Sequence, residues 1–128
     1  MTEKKYVVDY NNISVYLASS ATAGDLIYRT TGSGVAGLNA GEFYGIADST
    51  GSAATKVTVE KRGVFNITKG DGSQQKIEQG QVLYGSGATS CATAQVSTGS
   101  VIGIAWEQSS SDNSNVAVDI RGFNNILM

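Results

Sequence analysis

Ala23-Gly24-Asp25-Leu26-Ile27-Tyr28, Tyr44-Gly45-Ile46-Ala47 and Val57-Thr58-Val59-Glu60-Lys61-Arg62-Gly63 form one ordered set of blocks. A second set follows in the same order: Gln79-Gly80-Gln81-Val82-Leu83-Tyr84, Ile102-Gly103-Ile104-Ala105 and Val116-Ala117-Val118-Asp119-Ile120-Arg121-Gly122. Leu26 to Val82 is 56 residues, Ile46 to Ile104 is 58 and Val57 to Val116 is 59. Three blocks in one order at nearly one offset imply two related halves, about residues 23–67 and 79–123, folded together. Within the blocks the apolar residues alternate. Val57 and Val59 face one way, Thr58 and Glu60 the other, and Val116, Val118 and Ile120 repeat the pattern. A period of two is that of a half-buried β-strand. Gly45 and Gly103 interrupt matching strands, where a glycine marks a bulge or a close approach of another backbone.

Outward from these blocks the chain continues in short strands. Ile13-Ser14-Val15-Tyr16-Leu17 alternates, and Val64-Phe65-Asn66-Ile67 runs into the turn signal Lys69-Gly70-Asp71-Gly72. Gly32-Ser33-Gly34 suggests a loop, and Ser73 to Gln79 suits a single helical turn. The 16 glycines and the absence of proline fit a chain with many turns and short strands. The expected fold is all-β: a small barrel or sandwich of short antiparallel strands with an internal two-fold repeat. Strands at 25–28, 43–47 and 56–62 should match those at 81–84, 101–105 and 115–121. Residues 1–17 form a lead strand or arm ahead of a single domain at 18–128. Tyr6, Val7, Val8 and Tyr10 place apolar and aromatic area in that lead.

With 128 residues, 41% hydrophobic and only 16% charged, the chain can build one core and is too apolar to stay disordered. The net charge of −2 offers no basic stripe for nucleic acid. Lys4-Lys5 and Lys61-Arg62 are the basic clusters, and the second suits a solvated strand end. Glu60 with Arg62, and Asp119 with Arg121, place opposite charges two apart in each half. Their ordinary role is surface pairing, and subunit contact is the alternative. No apolar run approaches a membrane helix, and Thr2-Glu3-Lys4-Lys5 does not open a secretory signal. The expectation is a soluble protein made in a reducing cytoplasm.

Chemistry finds little support. Histidine is absent, which removes the usual zinc ligand and general base. The single cysteine, Cys91, lies among small polar residues and suits a space-filling role. Gly32-Ser33-Gly34-Val35-Ala36-Gly37 matches a dinucleotide fingerprint, but a strand follows where that site needs a helix. Gly70-Asp71-Gly72-Ser73 lacks the lysine of a phosphate loop. No local pairing singles out two of the 11 carboxylates as a glycosidase pair. Trp106 could stack on a sugar, although a buried or interface tryptophan is the more common case. No catalytic residue, cofactor or metal is expected.

The runs Ala23–Tyr28, Tyr44–Ala47, Arg62-Gly63-Val64-Phe65, Gly80–Tyr84, Ile102–Ala105 and Val116–Gly122 resemble the DUF2190 family of phage and prophage capsid decoration, or cement, proteins. The resemblance covers about Ala18 to Phe123. It implies a β-rich, non-enzymatic homotrimer on the outer surface of the virion capsid, bound to the major capsid protein of a tailed phage, with no nucleic-acid or membrane partner. Synthesis would be in the host bacterial cytoplasm. For such a protein the candidate capsid or subunit contacts are Tyr6, Val7, Val8, Tyr10, Arg62 and Arg121. The long tyrosine-rich lead is a departure from the family. The rival reading is a glycan- or receptor-binding module of a head fibre or tail, built on Trp106, the tyrosines and the Ser/Asn-rich loops.

Overall fold

The computed structural model describes residues 12–30, 33–36, 42–70, 76–93 and 100–121. Every regular element among them is a strand: β1 (Asn12–Tyr16), β2 (Leu26–Thr30), β3 (Ser33–Ala36), β4 (Phe43–Ala47), β5 (Lys56–Glu60), β6 (Arg62–Lys69), β7 (Val82–Gly85), β8 (Ser90–Ala92), β9 (Val101–Ala105) and β10 (Asn115–Arg121). The first five form a sheet in the order β1-β5-β4-β2-β3, and the last five a closed barrel, β10-β6-β8-β7-β9. The all-β expectation holds. Two strands were not foreseen. Ser33–Ala36 pairs with β2 where a loop was expected, and Ser90–Ala92 closes the barrel against β6 and β7. Of the helical turn expected at Ser73 to Gln79, residues 73–75 lie outside the described residues, and Ile77 makes an antiparallel bridge to Ser109.

Traced from β6, the barrel runs β6-β10-β9-β7-β8, which is the order of the first sheet traced from β1. The registers correspond as well. Leu26 faces Ile46 as Val82 faces Ile104, and Ile27 faces Gly45 as Leu83 faces Gly103. Tyr28 then faces Phe43 as Tyr84 faces Val101, after a register shift at the same place in each pair. The reason is spatial. A Cβ on Gly45 would overlap the Glu60 carbonyl oxygen, and one on Gly103 the Asp119 carbonyl oxygen. Both glycines therefore sit at the irregularities expected of them. The turns ahead of β2 and β7 also agree: Asp25 N–H donates to Thr22, and Gln81 N–H to Glu78. The correspondence starts at β1, one strand earlier than the blocks legible in the sequence.

Side-chain alternation assigns the cores. Val15, Leu17, Ile27, Ala47, Val57 and Val59 fill the first sheet. Ile67, Leu83, Cys91, Ile102, Val116, Val118 and Ile120 fill the barrel. The opposite face of β2 and β4, Leu26, Tyr28, Phe43 and Ile46, joins the barrel cluster. Apolar residues on both faces of β2 are thus both used: one face builds its own sheet and the other covers the barrel. Burying each such side chain contributes about 1.5–3 kcal/mol. The Leu26 N–H also donates to the Ala88 carbonyl at 2.7 Å, a direct bond between the two units.

Tyr28 is the centre of that contact. It is 1% exposed, and its ring lies 5.7 Å from Phe43 at 59°. Its hydroxyl points at Gly85, where a Cβ would overlap it. Among the described residues the hydroxyl has no hydrogen-bond partner. Burial, and secondarily Cys91, push its pKa above the ordinary 10.0. A raised folded-state value means that the folded protein holds the proton more tightly. This contribution is intact below pH 10 and is lost as pH rises from there toward the folded value. Tyr28→Phe should therefore match or exceed the native stability at neutral pH, by up to about 1 kcal/mol. It should also flatten the loss above pH 10. Denaturant midpoints at neutral and alkaline pH check this, and a variant that loses stability at both would show that the hydroxyl has a partner.

Candidate docking surface

The chain crosses from sheet to barrel at Lys61. Glu60 ends β5 opposite Asn12. Arg62 opens β6 opposite Arg121, the last residue of β10. Two arginines far apart in sequence are thereby ladder neighbours. Lys61 between the sheets is 4% exposed, and burial, then the adjacent Arg62, lower its pKa. Arg62 itself is exposed. Residues 1–11 join the described fold at Asn12, beside this basic junction in an otherwise acidic chain. Tyr6, Val7, Val8 and Tyr10 lie outside the described residues. One expectation needs correcting. Asp119 and Arg121 share β10, but Glu60 and Arg62 lie on different strands because the chain changes sheet between them.

A second feature lies on the outside of the barrel. Val82, Ile104, Asp119 and Val64 form one cross-strand row over β7, β9, β10 and β6. Val82 is 42% exposed and Val64 46%. Trp106, just past β9, is 55% exposed, so it is not buried as a lone tryptophan commonly is. Its backbone N–H donates to Ala117. With Gln79, Ile104, Glu107 and Asp119 it lines an open groove of about 380 Å³. Exposed large apolar residues gathered on one sheet face mark an interaction surface more often than scattered ones do. The sequence held a signal for this row: Val82-Leu83-Tyr84 is apolar on both faces, and a strand covered on only one side would alternate.

Cys91 is fully buried on β8 inside the barrel. Gly34 lies within β3, on a paired strand where a phosphate-binding string needs a loop at a helix N-terminus. No cluster of three or more metal-ligating side chains occurs among the described residues. Arg29 and Glu42 form an exposed ion pair at 2.7 Å, which also lowers the Glu42 pKa. Such a pair steadies a surface and adds little stability.

A family model described as phage cement protein matches residues 7–120. No curated protein matches the chain, and no solved structure does.

Proposed function

The chain belongs to the phage cement protein family, and from that premise we propose how it decorates a capsid. It binds the outer surface of an assembled icosahedral head as a homotrimer and bridges copies of the major capsid protein. It holds the shell together without catalysing a reaction. The observation that carries this reading is the extent of the family match, which begins at Val7 inside the aromatic lead and runs through both sheets. Docking through several copies multiplies contacts that are individually modest, so the trimer resists removal better than its single sites would. An acidic chain suits a position away from packaged DNA. It is made in the host bacterial cytoplasm and ends on the virion exterior.

The contact region we propose is the basic junction together with the lead: Tyr6, Val7, Val8, Tyr10, Arg62 and Arg121. Apolar area in the lead costs roughly 25 cal/mol per Å² when left in water, which favours its burial against shell or subunit. Residues 1–11 are then an arm continued by β1, and β1 together with the strands after it makes one domain of two related halves. Deleting residues 2–11 should leave a folded protein that binds undecorated heads more weakly, by tenfold or more, in a cosedimentation assay imaged by electron microscopy. An unfolded variant, or one with undiminished binding, would remove the lead from the contact.

One observation favours a second reading. Exposed Trp106 beside Gln79 and Glu107 is chemistry suited to stacking and hydrogen bonding with a sugar. A glycan array with the isolated protein separates this reading from shell docking. Specific signals lost in Trp106→Ala would support a glycan- or receptor-binding module.

A further inference from the structure

We propose that the two sheets are copies of one unit stacked head to tail within the chain, and that the outer face of β7–β9 receives a second copy of the chain. The stacking is visible once, inside the chain. Leu26, Tyr28, Phe43 and Ile46 on β2–β4 are buried against the barrel. By register their counterparts are Val82, Tyr84, Val101 and Ile104 on β7–β9. These four remain wholly or partly exposed. The same apolar face thus occurs twice, and the chain covers only one of them.

The receiving surface is also present twice. On the barrel it includes Phe65 to Thr68 of β6, which border Ile46 across the groove between the units. Phe65 faces Val118 and Thr68 faces Asn115. On the first sheet the corresponding residues are Ile13, facing Val59, and Tyr16, facing Lys56. Tyr16 is 46% exposed. Of the four large apolar residues most exposed among those described, Val82 lies on the uncovered β7–β9 face and Tyr16, the counterpart of exposed Thr68, at the rim of the corresponding β1 edge. One difference shapes the contact between chains. Arg29, paired with Glu42, occupies the β2 position that Gly85 holds in β7. In the proposed contact Tyr84 of one copy meets that ion pair, where Tyr28 enters a glycine notch.

A contact between two different patches is heterologous, and it closes a ring where its rotation allows and runs into an open filament where it does not. Three chains would bring six sheet units around one axis. This gives the oligomer proposed above its interface and rests on that reading. The test is made in solution without heads, so failure to bind a shell does not bear on it. Val82→Lys and Tyr16→Lys each place a charge on an already exposed position, and circular dichroism with denaturant titration confirms that they fold. By native mass spectrometry the unaltered chain should be a closed oligomer and each variant a monomer. An equimolar mixture of the two should give one-to-one dimers, because it retains one intact donor face and one intact receiving face. The proposal is overturned by an unaltered chain that stays monomeric at high concentration, or by a folded Val82→Lys that keeps the native mass. It is equally overturned by Tyr16→Lys dimers formed without its partner, which would mean that the β7–β9 face meets its own copy. Loss of head binding by Val82→Lys with its mass retained would assign the face to the shell instead.

Discussion

Tyr28→Ala is expected to lower the stability by about 3–5 kcal/mol, the range for truncating a fully buried aromatic side chain. Tyr28 is among the largest side chains with almost no exposure, and it joins elements that share no ladder. Its ring lies against Phe43 from its own sheet, and its hydroxyl reaches Gly85 of the barrel. Removing it empties space on both sides at once. Gly85 has no side chain with which to refill that space, so the cavity persists and the cost is in the upper part of the range. Urea denaturation measures it directly. Tyr84→Ala, at the corresponding register in the barrel but only partly buried, should cost clearly less in a protein kept monomeric. Equal losses at the two positions would mean that Tyr28 does not seat one unit on the other.

Gly103→Ala is expected to cost about 3 kcal/mol, at the top of the range for overpacking. The new Cβ would fall on the Asp119 carbonyl oxygen, with the Asp119 carbonyl carbon and the Ile120 Cα behind it. Backbone atoms of a paired strand cannot rotate away as a side chain can. Relief requires β9 to lift from β10, and that breaks a seam of the barrel. Gly80→Ala serves as the comparison. Its Cβ would meet nothing within 4 Å, and the only obstacle is the positive φ of 87°. That backbone preference costs about 1 kcal/mol. A shift in denaturation midpoint for Gly103→Ala no larger than for Gly80→Ala would show that the close approach does not constrain the barrel.

The strands with regular alternation were legible from composition and period alone. Val57 to Glu60 and Val116 to Ile120 each bury one face and leave the other at least partly solvated, and the order of residues states this openly. β3 and β8 were hidden because Ser33-Gly34 and Ser90-Cys91-Ala92 have little side-chain bulk with which to mark a face. Leu26-Ile27-Tyr28 and Val82-Leu83-Tyr84 carry the same pattern, yet the first is covered on both sides and the second is not. No local signal separates them, since coverage is decided by what packs above a strand. Arg62 and Arg121 were identifiable as candidates from their matching positions, but their adjacency follows only from the β6–β10 register. Trp106 was visible as the lone tryptophan, whereas its exposure depends on where β9 ends.

The cover for Leu26, Tyr28, Phe43 and Ile46 consists of residues that follow Lys61. During translation this order matters. At about 5–20 residues per second, the stretch from Arg62 to Arg121 takes roughly 3–12 s to emerge. For that interval the first sheet holds an apolar face with no cover from its own chain. Ribosomes in series on one message would hold several such faces close together, and a barrel released from one chain can seat on the sheet of its neighbour. Slow synthesis of the second half, for example through rare codons after Lys61, would lengthen the window. It should shift the yield from soluble protein toward entangled aggregates, even though the finished molecule is unchanged.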